Sequence, residues 1–251
     1  MKVTIFQTDV RWARPDENVQ NVQRLLAENQ GADLYVLPEM WATGFATTPH
    51  DIAEKEDSVA LNWMRQTAAD HSCAVSGSLL VQTSDGRSRN RHYFVTPQQT
   101  VFYDKHHLFT YGHEDRYITP GADHVIATWQ GRRFLLLTCD DLRFPWWARY
   151  GRVGEYDAII VAANWPESRQ QAWRILTRAR AIENQCYLIG ANRVGDDVFC
   201  HYCGESLVCD SKGDTLAEGA ANQETPVTAY LDFANLDVAR SRFKILEDRD
   251  L

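Results

Sequence analysis

The sequence lacks any long apolar run, since none of its stretches approaches the ~18 consecutive apolar residues that a membrane-spanning helix requires. Its first ten residues, MKVTIFQTDV, alternate like a β-strand and have neither the apolar core nor the small-residue cleavage site of a signal peptide. We therefore expect a cytoplasmic protein with no membrane partner.

Concentrated positive charge is also missing. The 26 Lys and Arg residues are scattered, and 34 Asp and Glu residues outnumber them, which gives a net charge of −8. Proteins that bind nucleic acids need clustered Lys and Arg to displace the counterions of the phosphate backbone. The composition therefore argues against a nucleic acid as a partner.

Signals that would divide the chain, or bind a nucleotide, are absent as well. There is no segment rich in Pro, Gly and Ser, no low-complexity tract, no short repeat and no glycine-rich phosphate loop. The 251 residues, 44% of them hydrophobic, can bury one large core. We predict a single domain over residues 1–251, in which residues from about 236 to 251 form a C-terminal helix and an exposed tail.

Cysteines are too few for a disulfide-rich secreted protein. Six cysteines in 251 residues, without a secretion signal, are predicted to be reduced thiols. The segment CHYC at 200–203, together with Cys209, has some features of a zinc site, but a structural zinc site needs four ligands and no second Cys/His pair has a suitable spacing. We predict no metal.

What the sequence does contain is a regular alternation of strand-like and helix-like segments. The segment WWARYGRVGEY is among those predicted to be helical. Two sheets packed face to face and covered by helices would bury roughly ten or more strands and about four or five helices. We therefore predict an α/β fold, a four-layer α-β-β-α sandwich of two mixed sheets.

Three of the predicted strands end next to different reactive side chains. LYVLPEM leads into Glu39, TVFYDKHHLF places Lys105 just past a strand, and FLLLTC ends on Cys139. Functional sites in open α/β sheets gather outside the carboxyl ends of strands, so one site can collect all three. A carboxylate can accept the thiol proton, and an ammonium can stabilise the oxyanion formed when sulfur attacks a carbonyl.

Each of these residues also has a plainer interpretation. Glu39 or Lys105 alone could be a solvated charge at a strand end, and Cys139 alone a small buried hydrophobic residue. If Cys139 is a nucleophile, the backbone N–H groups of the turn that follows are expected to lower the pKa of its thiol. His106 and His107 raise the alternative of a Cys–His pair.

Four motifs, LPEMWATGF, YDKHHLF, TCDDLRFPWWAR and ANWP, occur in an order and at spacings that resemble the nitrilase superfamily of carbon–nitrogen hydrolases, most closely its ω-amidase branch. The resemblance extends from the first strand to about residue 235. It implies an α-β-β-α sandwich that needs no metal or organic cofactor and commonly pairs into homodimers across one helical face. It makes Glu39 the general base, Lys105 the oxyanion stabiliser and Cys139 the nucleophile. It also implies that Glu114 is a second glutamate that orders the site.

The chain departs from the superfamily directly after the nucleophile, where Asp140 stands in place of the usual tyrosine. A negative charge here is expected to raise the thiol pKa or to repel an acidic substrate. Arg143 is the candidate to bind a substrate carboxylate, although it could instead brace the turn by pairing with Asp141 or a glutamate. Candidate pocket walls, which could equally be plain core, are the aromatic residues Phe45, Phe144 and Trp165.

The resemblance to ω-amidases implies hydrolysis of the ω-amide of a short dicarboxylate, such as 2-oxoglutaramate or 2-oxosuccinamate, to acid and ammonia through a cysteine thioester. The same three residues also serve a nitrilase, an N-carbamoyl hydrolase or an acyltransferase. A further alternative is a non-catalytic interaction module, although such a scaffold has no use for an intact Glu, Lys and Cys. We predict an amidase that acts on a small molecule.

Overall fold

The computed structural model describes residues 1–46, 53–55 and 57–249. Its strands are β1 (Lys2–Gln7), β2 (Leu34–Val36), β3 (Glu54–Lys55), β4 (Ala74–Gln82), β5 (Ser88–Val95), β6 (Thr100–Asp104), β7 (Ile126–Trp129), β8 (Arg132–Thr138), β9 (Ala158–Ala163), β10 (Tyr187–Asn192), β11 (Val194–Asp196), β12 (His201–Cys203), β13 (Leu207–Cys209), β14 (Thr215–Glu218) and β15 (Thr225–Tyr230). Its α-helices are α1 (Pro15–Glu28), α2 (Val59–His71), α3 (Gln170–Glu183) and α4 (Phe233–Arg242).

The strands form two large mixed sheets. The first has the order β15-β1-β2-β4-β5-β6, with β3 also paired to β4, and the second has the order β14-β13-β10-β9-β8-β7. Strands β1, β2 and β4 run parallel in the first sheet, as do β8, β9 and β10 in the second. Their edge partners, such as β15 and β7, run antiparallel.

Three apolar clusters define the layers. Ile5 of the first sheet and Phe134 of the second share the cluster between the sheets. The outer face of the first sheet packs against α1 and α2 through residues such as Leu25 and Met64, and the outer face of the second packs against α3 through Trp173. The predicted four-layer α-β-β-α sandwich is confirmed. No helix in the described part of the chain combines the length and the apolar character needed to cross a membrane.

The continuous apolar run of β8 follows from this layering. Phe134 and Leu136 point into the cluster between the sheets, while Leu135 and Leu137 point into the cluster beneath α3. Successive side chains of a strand lie on opposite faces, and both faces of β8 are covered. Apolar residues of β8 therefore need not alternate with polar ones before the strand ends next to Cys139.

The segment 146–156, predicted to be a helix, is not one. A short 3-10 helix covers Pro145–Ala148, and the chain then continues in turns. The φ angles of Gly151 and Gly154 are 85° and 120°. A right-handed helix cannot pass through backbone conformations with such positive φ, which glycine adopts because it has no Cβ.

The C-terminal helix begins earlier than predicted, and the segment after it is not wholly exposed. Helix α4 starts at Phe233, and both Phe233 and Leu236 are buried in the cluster between the sheets. Beyond the helix, Leu246 is buried in the cluster beneath α3. Residues 250 and 251 of the predicted tail lie outside the described residues. The end of the chain therefore contributes to packing on two layers.

Candidate active site

Strands from both sheets end at one edge of the sandwich. Strand β2 leads into Glu39, β6 into Lys105 and β8 into Cys139. Because β6 is antiparallel to β5, and β5 antiparallel to β4, β6 runs in the same direction as β2. The charges of Glu39 and Lys105 both act on the Cys139 thiol. The structure therefore brings together the three side chains that the sequence places far apart.

Lys105 lies at the centre of this site. Its Nζ donates to Glu39 Oε1 at 2.9 Å and to Glu114 Oε2 at 2.8 Å, and all three side chains are fully buried. Burial by itself lowers the pKa of Lys105, but the two carboxylates outweigh it and hold the pKa well above its usual range. Lys105 is therefore a permanent cation, and two of its three N–H donors are already bound.

Glu114 is the second carboxylate that holds Lys105. Its Oε2 also accepts from the backbone N–H of Phe109 at 2.7 Å, and its Oε1 accepts from Asn90 Nδ2 at 3.0 Å. Burial raises the pKa of Glu114, Lys105 opposes that rise, and Glu39 adds to it. Glu114 thus links the loop that carries it to the lysine and to β5.

Sequence reasoning misses Asn90, which is 1% exposed on β5. Its Nδ2 donates to Glu39 Oε1 at 2.7 Å as well as to Glu114, and its Oδ1 accepts from Ser78 Oγ at 2.8 Å. The segment RNRHYFV has the composition of an ordinary strand. No signal in the sequence relates Asn90 to a glutamate 51 positions earlier.

Asn164 holds Glu39 from the second sheet. Its backbone N–H donates to Glu39 Oε2 at 3.0 Å, and its Nδ2 donates to the Glu39 carbonyl at 2.9 Å. The backbone of Asn164 also lowers the pKa of the Cys139 thiol, and Asn164 and Cys139 line the same pocket. Asn164 therefore holds the Glu39 carboxylate on the side of the site where the thiol lies. The ANWP motif marks this segment in the sequence but assigns it no role.

Cys139 begins a 3-10 helix, Cys139–Arg143, and has a φ of 44°. A non-glycine residue in this left-handed region is strained, as is common at functional turns between a strand and a helix. Burial and the Glu39 carboxylate raise the pKa of the thiol well above its usual value, although Lys105 lowers it. The prediction that the turn lowers this pKa is wrong, because burial dominates. The prediction that Asp140 raises it is confirmed.

His106 and His107 do not pair with the nucleophile. The ring Nδ1 of His107 lies 2.9 Å from Asp141 Oδ1, and that of His106 lies 2.7 Å from the Gly121 carbonyl. The ring of His107 stacks on Phe144, and the ring of His106 stacks on Trp147. His107 therefore ties the segment after Lys105 to the turn after Cys139, and His106 ties the same segment to Gly121.

A pocket of about 600 Å³ opens above Cys139. Phe45 and Trp165 line it, as predicted for them. Phe109 and Tyr111, which the sequence analysis does not single out, line another part, where the guanidinium of Arg169 lies 5.0 Å and 5.8 Å from their ring centroids. Cys139 is 9% exposed, so a small molecule in the pocket can reach the sulfur.

Phe144, the third aromatic residue predicted to line the pocket, does not belong to its lining. The 3-10 helix that starts at Cys139 ends at Phe144, whose ring stacks on His107 with centroids 3.8 Å apart. The side chain is 40% exposed. The prediction is wrong because the end of the helix directs the ring toward the loop after β6.

Arg143 lines the pocket and pairs with Asp140. Its Nε donates to Asp140 Oδ1 at 2.8 Å, and its guanidinium carbon lies 4.4 Å from the Trp165 ring centroid. The alternative that Arg143 pairs with Asp141 is wrong, because the fully buried Asp141 accepts from Thr138, Tyr103 and His107 instead. Within the described residues, Nη1 and Nη2 of Arg143 have no protein partner.

The described part of the pocket lining carries more positive than negative charge. Its arginines are Arg116, Arg143 and Arg169, and its carboxylates are Asp140 and Asp197. Both oxygens of Asp197 are occupied, Oδ1 by the backbone N–H groups of residues 199 and 200 and Oδ2 by a tyrosine hydroxyl. The excess of positive charge is thus confined to the wall of the pocket, above the buried carboxylates of Glu39 and Glu114.

No metal cluster is found in the described residues. No group of three or more His, Cys, Asp and Glu side chains there is arranged to hold a metal ion. Cys203 and Cys209 are buried, and Cys200 is partly exposed at the pocket, without a set of ligands around it. The reactive groups of the site are therefore the carboxylates of Glu39 and Glu114, the ammonium of Lys105 and the thiol of Cys139.

Comparison with known proteins identifies the family of this chain. A family model for carbon-nitrogen hydrolases matches residues 2–241. The chain is 40% identical to the omega-amidase YafV of Escherichia coli K12, over 100% of this chain and 97% of that protein. It is 31% identical to the 2-oxoglutaramate amidase of Bacillus subtilis 168, over 99% and 98%.

A solved structure agrees with these relatives. XC1258 from Xanthomonas campestris, a CN-hydrolase superfamily protein with an arsenic adduct in its active site, matches with a TM-score of 0.95 at 35% identity, covering 100% of this chain and 97% of that one. The predicted superfamily and the predicted enzyme class, an amidase, are confirmed. The chain belongs to the carbon–nitrogen hydrolase family.

Proposed function

We propose that this amidase hydrolyses the ω-amide of short dicarboxylates, such as 2-oxoglutaramate or 2-oxosuccinamate, through a thioester on Cys139. The observation that carries the proposal is the contact of Lys105 with two fully buried carboxylates beneath a pocket into which Cys139 opens. The names of the relatives, omega-amidase and 2-oxoglutaramate amidase, support the same substrate class.

In the acylation half of the proposed reaction, Glu39 Oε2 takes the thiol proton as Cys139 Sγ attacks the amide carbon. The raised pKa of the thiol means that it rests in the protonated form, so the base must act during the attack. The third N–H of Lys105 and the backbone N–H of Asp140 stabilise the oxyanion. Glu39 then gives its proton to the amide nitrogen, the carbon–nitrogen bond breaks, and ammonia leaves the thioester.

Deacylation reuses the same groups. Glu39 accepts a proton from a water molecule, whose oxygen attacks the thioester carbon. The carbon–sulfur bond breaks, the thiolate recovers the proton from Glu39, and the carboxylic acid leaves. Because Glu114 occupies one side of Lys105 throughout, the ammonium stays in place for both oxyanions.

Arg143 is the proposed site for the far carboxylate of the substrate. Its stacking on Trp165 and its bond to Asp140 hold the guanidinium in a fixed plane beside the nucleophile. The two outer nitrogens can then donate a pair of parallel hydrogen bonds to a carboxylate. Asp140 neutralises part of the arginine charge, so the bond to the substrate is weaker than an unpaired arginine would make.

Ammonia release from a panel of substrates tests the proposed function. The panel contains 2-oxoglutaramate, glutamine, butyramide, a short nitrile and an N-carbamoyl amino acid. We expect kcat/KM to be highest for 2-oxoglutaramate. Faster turnover of the nitrile or the carbamoyl compound would contradict the proposed substrate class. Inactivity on the whole panel would favour an interaction module, or an acyltransferase that passes the acyl group to an amine or hydroxyl rather than to water.

We also propose that the protein forms a homodimer through the exposed face of α3. Ile175 and Ile182 are 56% and 50% exposed there, beside a groove lined with Arg178. Light scattering should show a dimer that the double change Ile175→Glu and Ile182→Glu converts to monomer. Val59 on α2, which is also 56% exposed, provides the control, because Val59→Glu should leave the dimer intact. A monomeric wild-type protein would contradict this proposal.

A further inference from the structure

The charges buried beneath the pocket do not balance. Glu39 and Glu114 are two carboxyl groups that face the single ammonium of Lys105, and all three side chains are fully buried. The other titratable groups that act on this cluster are the Cys139 thiol and, through it, Asp140. A second carboxylate in such a site must either take up a proton or receive hydrogen bonds from neutral donors.

The hydrogen-bond pattern favours two ionised carboxylates. Among the described residues, every hydrogen-bond partner of their side-chain oxygens is a donor: Lys105 Nζ and Asn90 Nδ2 reach both carboxylates, Phe109 N reaches Glu114, and Asn164 N reaches Glu39. A proton on either carboxyl group would therefore point at another proton. Asn90 is the neutral side chain that bridges both groups, and it does so from the strand next to β6.

Ser78 determines which end of the Asn90 amide faces the carboxylates. The backbone N–H of Met40 donates to Ser78 Oγ at 2.8 Å. The hydroxyl oxygen is then an acceptor, and its own proton is free to donate to Asn90 Oδ1, also at 2.8 Å. With Oδ1 engaged in this way, both N–H bonds of Nδ2 point at Glu39 and Glu114.

We propose that Asn90, oriented by Ser78, is a positioning residue that holds Glu39 and Glu114 as a pair of carboxylates around Lys105. Asn90 does not belong to the described lining of the pocket, so it acts on the reaction through the glutamates rather than through substrate. The inference rests on the proposed role of Glu39 as the base for Cys139.

The pH dependence of Cys139 alkylation tests this inference without a substrate. The protein is treated with iodoacetamide over a range of pH, and the modified Cys139 peptide is quantified by mass spectrometry, which separates it from the other five cysteines. Asn90→Asp keeps the shape of the side chain, removes both N–H donors and adds a third carboxyl group beside Glu39 and Glu114. The lost hydrogen bonds and the added like charge both raise the pKa of the two glutamates, so we expect alkylation on the acidic side to slow about tenfold and its rise to move to higher pH.

Ser78→Ala provides a second variant that keeps Asn90 but releases its orientation. We expect the rise in alkylation to move in the same direction by a smaller amount, about threefold in rate on the acidic side. Asn184→Asp is the matched control: Asn184 is fully buried, donates to the Arg180 carbonyl, and lies before β10 rather than at the active-site edge. Its profile should coincide with that of the wild type, whatever it does to stability.

A shift in Asn90→Asp and Ser78→Ala, together with an unchanged Asn184→Asp profile, supports the inference. Unshifted profiles in folded variants overturn it, as does an equal shift in the control. If Asn90→Asp does not fold, Ser78→Ala alone decides in the same way. Failure of the proposed function gives a different result, because Cys139 in the wild type would then react no faster than an ordinary buried thiol at any pH.

Discussion

Asp141 and His107 are joined twice: the backbone N–H and the ring Nδ1 of His107 both lie 2.9 Å from Asp141 Oδ1. The other oxygen of Asp141 accepts from Thr138 N at 3.0 Å and from the Tyr103 hydroxyl at 2.7 Å. One buried carboxylate thus ties the turn that carries Cys139 to the segment that carries Lys105. We expect the spacing between nucleophile and ammonium to depend on this bridge between the two sheets.

Asp141→Asn should lower both stability and kcat. The amide replaces one acceptor oxygen with a donor that faces other donors, so we expect the free energy of unfolding to fall by about 3 kcal/mol. The displaced turn should also lower kcat by at least about tenfold, since small misplacements of reacting groups are costly. Urea denaturation and ammonia release measure the two effects.

Asp157→Asn is the matched control for this change. Asp157 is 4% exposed and accepts hydrogen bonds from Arg133 and Arg240, but it lies just before β9, at the opposite edge from the site. We expect a comparable loss of stability without a loss of kcat. Equal effects of both variants on kcat would show that Asp141 has no specific role in spacing the site.

Arg143→Met should weaken the binding of anionic amides. Methionine keeps an unbranched side chain against Trp165 but cannot donate to a carboxylate. A charge-assisted hydrogen bond contributes roughly 1.5–3 kcal/mol, so KM for 2-oxoglutaramate should rise by about tenfold or more.

The neutral amide butyramide provides the control for Arg143, because it has no carboxylate to bind. Its kcat/KM should change by less than about threefold in Arg143→Met. Asp140→Asn should act in the reverse direction on 2-oxoglutaramate, lowering its KM, since it removes a negative charge from the lining. Parallel losses for charged and neutral amides would contradict the role proposed for Arg143.

His92 predicts how stability depends on pH. It is fully buried between the Ser76 hydroxyl and the Leu137 carbonyl, and burial lowers its pKa from 6.5 to about 4. As the pH falls, His92 is therefore protonated near pH 6.5 in the unfolded chain but only near pH 4 in the folded protein. The contribution of the neutral His92 to the free energy of unfolding is fully present above pH 6.5 and is lost as the pH falls toward 4.

Replacing His92 should remove this dependence. His92→Asn keeps a donor for the Leu137 carbonyl but does not titrate, so the stability difference between wild type and variant should shrink by about 2 kcal/mol from about pH 7.5 to about pH 5. The exposed His71 gives the control His71→Asn. Urea denaturation at each pH measures the difference. A constant difference across this range would show that His92 is not held neutral by the fold.

The sequence predicts the site residues that directly follow strands. It does not predict those that reach the site through hydrogen bonds between distant strands. Glu39, Lys105 and Cys139 are chemically distinct groups at the ends of apolar runs, which makes them candidates, and the resemblance of their motifs to the nitrilase superfamily selects them over the plainer interpretations. Asn90 and Asn164 donate hydrogen bonds to Glu39, although they lie 51 and 125 positions from it in the sequence. Such bonds depend on strand order in two sheets, which periodicity does not determine.

The layered fold follows from the alternation of strands and helices, but irregular segments do not. The segment 146–156 has apolar spacing suitable for a helix. It does not form one, because two of its glycines have positive φ angles. Phe144 is an aromatic residue near a strand end and is predicted to line the pocket, but the 3-10 helix that starts at Cys139 ends there and its ring stacks on His107 instead. Local backbone geometry, rather than composition, decides both cases.

Trapping the acyl group tests the central claim most directly. Wild-type protein turning over 2-oxoglutaramate is quenched in acid and mapped by mass spectrometry, with Cys139→Ala and the distant buried Cys186→Ala treated alike. The account predicts that the Cys139 peptide gains the mass of the substrate minus ammonia in the wild type and in Cys186→Ala, while Cys139→Ala folds normally and releases no ammonia. An acyl group on another residue, or continued ammonia release by Cys139→Ala, would contradict it.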